Sequence, residues 1–548
     1  MANSNDARPA TTRAWRLPVA AAMLVLLVLA GALAARLASR PRSARQPAGQ
    51  TKTAKRGAAP TLAAASGEAS KAEVDRFCGD CHASPPPESL PRSEWRQRVL
   101  NGHIFLKEYK RTLSPPPAST EQLVRYYEAR SPAETPLLKV TNAPGPPPIR
   151  FAKSGYPAPN QRFPRVTNVN LVQLFHPTRP DLLVCDARYH QVVAMRPYMP
   201  PGKNRARVLA KIPGPAHTVV ADLNKDGIKD VLVADLGDVY PSDHQQGRVI
   251  WLKGRAGGTF TPVTLLKNVG RVTDVEAADF DGDGDLDLMV AIFGWRHLGS
   301  VTYLENRTTN WSRPVFVPHV IDDRHGAIHV PVTDLNGDGR PDFIALFAQE
   351  YETINAFLNE GNGRFRKETI HDAKDPSFGS SGIQLADMDG DGDQDVLYTN
   401  GDVFDFAFLR PDNGIQWLEN KGTFPYTYHL LTRFYGAHRA QAIDMDGDGD
   451  KDVVAVAFLP EPFFPQRVDL GLDAAIWLEQ TTPGKFVRRS LDTVSCDHPT
   501  CIAGDLNGDG RPDLIAGNFW FGAPDPLDTV TVWINQGPRV KPAKVSRR

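Results

Sequence analysis

From about residue 150 to residue 540 the apolar positions of this chain fall in short runs that recur in one fixed order. The first run is partly apolar, as in Val219-Val220 or Ile383-Gln384-Leu385. The second is continuously apolar, as in Val231-Leu232-Val233 and Leu514-Ile515-Ala516. The third carries an aromatic residue: Ile250-Trp251-Leu252, Thr302-Tyr303-Leu304, Gln416-Trp417-Leu418, Ile476-Trp477-Leu478, Val532-Trp533-Ile534. The fourth starts near a phenylalanine: Phe260, Phe316, Phe365, Phe424, Phe486. Such short apolar and aromatic runs read as strands, the second kind as strands buried on both faces. Four strands per repeat predict the blade of a β-propeller, a unit that buries its faces only against its neighbours.

Between the first and second runs lies a nine-residue polar pattern, Asp-x-[Asp/Asn]-x-Asp-Gly-x-x-Asp. Its six copies begin at Asp222, Asp279, Asp334, Asp387, Asp444 and Asp505, at spacings of 57, 55, 53, 57 and 61 residues. Residues 166–221 are long enough for one more blade. There Pro180-Asp181-Leu182-Leu183-Val184 matches Pro512-Asp513-Leu514-Ile515-Ala516, but the residues upstream are His176-Pro177-Thr178-Arg179. The count is therefore seven blades, the first without metal ligands. The last repeat ends after Trp533 without a fourth strand, and the segment near Ile149-Arg150-Phe151 is expected to supply it and close the ring.

The pattern has the chemistry of a calcium loop. Oxygen donors at positions 1, 3, 5 and 9, with the position-7 carbonyl, can wrap one hard cation, and the position-6 glycine permits the sharp turn. The candidate side-chain ligands are Asp222, Asn224, Asp226 and Asp230; Asp279, Asp281, Asp283 and Asp287; Asp334, Asn336, Asp338 and Asp342; Asp387, Asp389, Asp391 and Asp395; Asp444, Asp446, Asp448 and Asp452; and Asp505, Asn507, Asp509 and Asp513. Position 7 varies (Ile228, Asp285, Arg340, Asp393, Asp450, Arg511), as suits a backbone ligand. Position 12, which an EF-hand fills with Glu, is Val233, Val290, Ala345, Tyr398, Ala455 and Ala516, so an EF-hand is excluded. The competing reading is an acidic turn without metal. Over roughly residues 150–540 these features resemble the FG-GAP/VCBS repeat family of integrin-type propellers. That resemblance implies that each acidic loop joins a blade's first two strands and binds calcium, giving up to six sites.

Upstream, Cys78-Gly79-Asp80-Cys81-His82 is the attachment pattern of a c-type haem, two thiols for the vinyl groups and His82 as an axial ligand. A redox cysteine pair or half of a zinc site is the alternative; neither a second cysteine pair nor a βαβ pattern accompanies it. Residues 74–130 resemble a small class I cytochrome c, with helices expected around Phe77, over 92–111, and after a Ser119/Gln122 capping box. That family's usual methionine ligand is missing, because no Met lies between Met23 and Met195. His103 is the candidate sixth ligand; otherwise it is a surface histidine beside an open sixth position. Cys496 and Cys501 are spaced for a loop disulfide, and Cys185 reads as a small buried residue.

Residues 17–35 carry no charge and are long enough to span a bilayer, behind Arg8, Arg13 and Arg16. Ala32-Leu33-Ala34 would also suit a signal-peptidase site, but the apolar stretch exceeds a usual signal core, which favours an uncleaved anchor. Seven basic residues from Arg36 to Arg56 would by themselves place the far side in the cytoplasm. Haem attachment and extracellular-range calcium outweigh them and argue for a protein anchored in the membrane and facing the periplasm or cell exterior. The chain then divides into a basic segment (1–16), the transmembrane helix or signal (17–35), a flexible linker (36–73), the cytochrome-like module (74–131), a proline-rich linker (132–148), the propeller (149–540) and a basic tail (541–548). The fold class is thus mainly β, a seven-bladed propeller with a small all-α haem module and an N-terminal transmembrane helix.

Formal net charge is zero, with 63 basic and 63 acidic residues. Residues 1–56 hold ten of the basic residues and one acid, so the remainder carries −9, much of it in the loops. No basic stripe argues for nucleic acid. Three functions remain: electron transfer with an unknown redox partner or extracytoplasmic polymer, a propeller enzyme that uses the haem as electron acceptor, or an adhesion module. His217 and His329 each lie five residues before a loop's first Asp, and His438, Arg439 and His498 sit near equivalent positions. They line the axial channel in this reading, as isolated polar groups or as an anion, metal or sugar-acid site. No reaction is assigned.

Overall fold

The computed structural model describes residues 67–539, apart from 80–81, 109, 200–204, 405–407, 523–524 and 526. The proposed membrane anchor, the tether as far as residue 66 and the basic tail lie outside the described residues. Among the described residues no helix is long and apolar enough to cross a membrane.

Seven antiparallel sheets succeed one another along the chain, over 166–211, 215–269, 272–322, 327–372, 382–433, 437–493, and 500–538 with 149–156. They are blades 1 to 7. The seventh takes its fourth strand, β1 (Ile149–Tyr156), from the start of the domain. Phe151 lies opposite Asn535, Lys153 opposite Trp533 and Tyr156 opposite Val530. The expected ring closure is thus present. Blade 4 has a broken first strand, Ala327–His329 and then Val332–Thr333, because Pro331 offers no N–H to the ladder.

Each blade's second strand is buried at every position, for example Asp230–Asp235 and Asp452–Ala457. These are the continuously apolar runs, sandwiched between neighbouring blades. The outermost strand of blade 2, Thr259–Val269, has by contrast no fully buried position. Trp251, Trp477 and Trp533 on third strands are fully buried, so the recurrent aromatic residues fill the inter-blade core.

One expectation fails. Cys496 and Cys501 are both free thiols. Cys496 packs in the core that blade 6 shares with blade 5, whereas Cys501 lies on the first strand of blade 7 among Trp477, Trp533 and Met445. The two side chains enter different cores, so their nearness in sequence does not bring the sulfurs together. The proline-rich linker lies against the propeller. Leu138 donates its N–H to the Tyr435 hydroxyl (2.7 Å), Ala143 to the Arg488 carbonyl (2.9 Å), and Arg488 Nε donates to Asn142 Oδ1 (2.8 Å). Proline-restricted segments lose little entropy when laid down in this way.

The upstream module is three helices: α1 (Lys71–Cys78), α2 (Trp95–Glu108) and α3 (Thr120–Arg130). Ser119 and Gln122 form the expected capping box, and Ser70 with Glu73 forms a second. Val74, Phe77, Trp95, Val99, Leu123, Val124 and Tyr127 make its core, with Trp95 stacked on Tyr127 at 3.8 Å.

Glu352, in the connection between the second and third strands of blade 4, is 3% exposed and accepts from the Ser380 amide (2.9 Å) and hydroxyl. Burial pushes its carboxyl up to about 8 from 4.5, against those hydrogen bonds. The folded state therefore holds a proton that the unfolded chain releases, so this group lowers stability progressively as pH rises from 4.5 to about 8. Glu352→Gln is expected to melt with the parent protein at pH 4.5 but to be more stable at pH 9, by on the order of 2–4 kcal/mol. Parallel melting curves across that range check it; a pH-independent difference would refute the assignment.

Candidate functional site

The six acidic loops all join the first and second strands of their blades. In each, the position-1 Asp is held by backbone amides of its own loop. In blade 3 Gly282 N and Gly284 N donate to Asp279 at 2.8 and 2.9 Å, and in blade 7 Gly508 N and Gly510 N donate to Asp505 at 2.7 and 2.8 Å. Both glycines have positive φ, 80° and 92° in blade 3. The glycine at position 4 is a second turn signal, legible in five of the six copies and replaced by Lys225 in blade 2.

The position-9 aspartates are built into the blades. Asp287 accepts from Phe280 N (3.1 Å), Asn306 N (2.7 Å) and the Tyr303 hydroxyl (3.0 Å); Asp513 accepts from Leu506 N (3.2 Å) and Asn535 N (2.8 Å). Asp230, Asp342, Asp395 and Asp452 repeat the pattern. Asp181 of blade 1, which lacks the other ligands, still accepts from Leu174 N and Phe175 N and pairs with Arg196 at 2.5 Å. Position 9 thus ties three strands together whether or not the rest of the loop can hold a cation. Burial raises the position-9 carboxyls of the six acidic loops, to about 6 for Asp287, Asp395 and Asp513 and about 7 for Asp452.

The loops fall into two groups. Blades 3, 5 and 6 carry Asp at positions 1, 3, 5, 7 and 9. In each of them three carboxylate oxygens lie within 4.8 Å of one another, from Asp279, Asp281 and Asp287; Asp387, Asp389 and Asp395; or Asp444, Asp446 and Asp448. Blades 2, 4 and 7 carry Asn at position 3. Their position-5 carboxylates already have partners, Asn224 for Asp226, Arg340 for Asp338, and Arg511 and Asn507 for Asp509. Lys225 reaches across to Asp285 (2.8 Å) and the Gly284 carbonyl (2.5 Å) of the next loop. The donor chemistry fits calcium in the first group; the second has fewer anionic donors.

In an antiparallel meander successive connections alternate between the two faces. The acidic loops therefore share one face, and the connections between second and third strands share the other. The helical module sits on that other face. Arg296 of blade 3 pairs with Glu108 (3.2 Å) and lies over the Phe105 ring at 4.5 Å, and Phe408 of blade 5 packs against the module core. Glu350 of blade 4 pairs with His325 at 2.9 Å; burial alone would raise its carboxyl, and His325 with His82 brings it down.

Within the module, Cys78 closes α1 and its sulfur accepts from the Tyr127 hydroxyl (3.3 Å). Burial pushes the thiol up to about 11. His82 Nδ1 lies 2.7 Å from the Ala83 carbonyl. That contact fixes the tautomer with a proton on Nδ1 and a lone pair on Nε2, the arrangement a metal-ligating histidine adopts. Asp80 and Cys81 lie outside the described residues. His103 Nε2 contacts the Thr120 hydroxyl (3.1 Å) and its ring rests on Phe77 at 4.6 Å, so ligation would require it to leave Thr120. Leu100 and Ile104, on the same side of α2 as His103, are 40% and 51% exposed.

The first strands line the central axis. Five residues before each loop begins, the register holds Asn168, His217, Asp274, His329, Gly382, Arg439 and Thr500 in blades 1 to 7. This is the end of the channel nearer the helical module. Four of these side chains form a continuous chain across the channel. His217 Nδ1 is 2.5 Å from Asp274 Oδ1, His329 Nδ1 is 3.5 Å from Asp274 Oδ2, and Arg439 Nη1 donates to His329 Nε2 at 2.7 Å. Because arginine can only donate, His329 Nε2 accepts and its Nδ1 carries the proton toward Asp274. Arg439 crosses blade 5 to reach it. Gly382 makes that possible, since a Cβ there would lie 3.1 Å from Arg439 Cδ. Val330 N, released by the strand break at Pro331, donates to Asp274 Oδ2 (2.9 Å), and Val275 N donates to Oδ1 (2.9 Å).

Burial would raise the Asp274 carboxyl, but His217 and His329 outweigh it and hold Asp274 well below the usual carboxylate range. Burial would lower His217, and Asp274 reverses the direction. Burial and Arg439 lower His329 to about 4. Glu276, two residues beyond Asp274, is raised to about 8 by burial and the Asp274 charge. Sequence reasoning found His217, His329 and Arg439 but missed Asp274 and Glu276. Tabulating the residue five before each loop would have found Asp274. His438 and His498 do not join the chain: His438 Nδ1 meets the Pro499 carbonyl (2.7 Å), and His498 stands edge-on to Trp533.

The FG-GAP-like repeat family matches residues 222–290 and 334–398, which hold the loops of blades 2 to 5. A T-cell immunomodulatory protein homologue of Plasmodium yoelii yoelii is 23% identical over 278 residues, covering 45% of this chain and 38% of that protein. The chain thus spans well under half of that relative's length. The V. cholerae biofilm matrix protein Bap1 aligns over 71% of this chain and 92% of its own at 12% identity, with a TM-score of 0.36. The chain carries FG-GAP-like repeats closed into a seven-bladed β-propeller.

Proposed function

We propose that this is an exported, membrane-anchored c-type haem protein whose calcium-loaded propeller presents the haem module to a redox partner or extracytoplasmic polymer. The observation that carries the reading is the seating of the helical module, with Cys78 and His82, on the propeller face opposite the acidic loops. His82 is oriented for ligation through Nε2, and the apolar side chains of Leu100 and Ile104 offer the kind of surface that a macrocycle covers. Bound haem supplies a one-electron couple set by its axial ligands. Around it, Tyr127 and Phe77 fix the thiol end of α1, and Arg296 and Phe408 hold the module against the ring.

A second reading, a propeller oxidoreductase, is favoured by the His217–Asp274–His329–Arg439 chain. A carboxylate that orients a histidine is the arrangement of a general base or a metal ligand. Reduced-minus-oxidised spectra of the exported protein test the main reading. Covalent haem bands are expected, lost in Cys78→Ser; a parent protein without them would sink the cytochrome assignment. An unchanged low-spin spectrum in His103→Ala would exclude His103 as the sixth ligand.

A further inference from the structure

We propose that His217, Asp274 and Glu276 form a binding site for a divalent first-row transition metal inside the propeller channel, distinct from the six acidic loops. The proposal does not depend on the haem. One donor atom from each of the three side chains lies within 4.8 Å of the other two. They come from the first strands of adjacent blades, Pro215–Ala221 and Val272–Ala278, so the fold and not a mobile loop sets their separation.

Asp274 is the fixed member. Two backbone amides and His329 hold it, and it is 2% exposed. Glu276 is half-buried and stands beside a second carboxylate, and the buried His217 Nδ1, although 2.5 Å from Asp274, is left without a hydrogen bond. Two such carboxylates repel each other unless a proton or a cation lies between them. Arg439 Nη1 donates to His329 and to neither carboxylate.

The donor set selects the metal. One imidazole with two carboxylates suits manganese, iron, cobalt or zinc, whereas calcium takes oxygen alone. Metal–donor distances of ~2.0–2.2 Å place bound donors about 3 Å apart. His217 and Asp274, now 2.5 Å apart, would need to separate by less than about 1 Å. His329 and Arg439 then act as positioning residues behind Asp274. Three protein donors leave open positions for water or an exogenous ligand.

Zinc titration of the full-length protein tests this, with calcium in excess so that the acidic loops are filled. One zinc per chain is expected by calorimetry and elemental analysis, with nitrogen and oxygen but no sulfur in its X-ray absorption shell. Glu276→Gln, a substitution that preserves shape, should weaken it by at least ~10-fold without lowering the melting temperature in calcium. His217→Ala should abolish it. A Cys78→Ser variant should retain it, which separates this site from zinc taken up by an unfilled cysteine motif. The absence of zinc in excess calcium, a sulfur shell, or undiminished binding in Glu276→Gln would each overturn the proposal.

Discussion

Chelation is expected to lower the melting temperature of the protein steeply, and the loss should grow as pH rises from about 4 to about 7. Each loop at a hundred times its dissociation constant adds about 2.7 kcal/mol to the folded state. The three five-aspartate loops of blades 3, 5 and 6 together would contribute on the order of 8 kcal/mol. The sign follows from the position-9 carboxyls. Without metal, burial raises Asp287, Asp395 and Asp513 to about 6 and Asp452 to about 7, from 3.8. The metal-free fold therefore holds protons that the unfolded chain has lost, and its stability falls as pH rises through that window. Calcium needs the ionised form, so its stabilising effect rises over the same window. Scanning calorimetry at several pH values, with calcium and with chelator, checks both trends. Calorimetric titration should resolve a tight class of about three sites. A melting temperature indifferent to chelation at pH 8 would count against filled loops.

Loss of β1 is expected to be as damaging. A chain beginning after Tyr156 leaves the Val530–Pro538 strand as a bare edge and uncovers part of the core around Trp533 and Val532. Burying each such side chain contributes ~1.5–3 kcal/mol, and an exposed apolar edge invites pairing with other chains. The truncated protein should aggregate or melt far below the parent, and a peptide spanning residues 147–158 added in trans should restore solubility. A soluble truncated protein with the parent's melting temperature would show that closure contributes little. Ala152→Pro, which puts a proline in the middle of the closing strand, is the milder form of the same test.

The architecture was legible because every blade solves one packing problem with the same residue types. Buried second strands read as continuous apolar runs, the third-strand aromatic residue marked the core, and the missing Phe-led strand after Trp533 pointed to Ile149. The acidic loops were legible for the same reason, but their double use was not. Only Asp181, kept in a blade that has lost its other ligands, separates the strand-tying role of position 9 from cation binding. The channel was read poorly because it is asymmetric. His217, Asp274, His329, Gly382 and Arg439 share one register and differ in chemistry, so no motif links them. An aspartate five residues before an acidic loop is also easily absorbed into that loop's charge. The disulfide expectation failed because a five-residue separation does not reveal that a blade boundary intervenes between Cys496 and Cys501.

The closing seam also sets how the molecule bears force. Ile149 lies opposite Pro538, so the chain enters and leaves the ring at one point. Tension applied between those ends would open the β1 ladder bond by bond, as a zip, instead of shearing all its hydrogen bonds at once. Upstream of the seam, Leu138 is tied to Tyr435 and Asn142 to Arg488. A pull transmitted through the helical module meets these side-chain bonds first. The linker thus works as a strain relief, and the ring stays shut until those ties have parted.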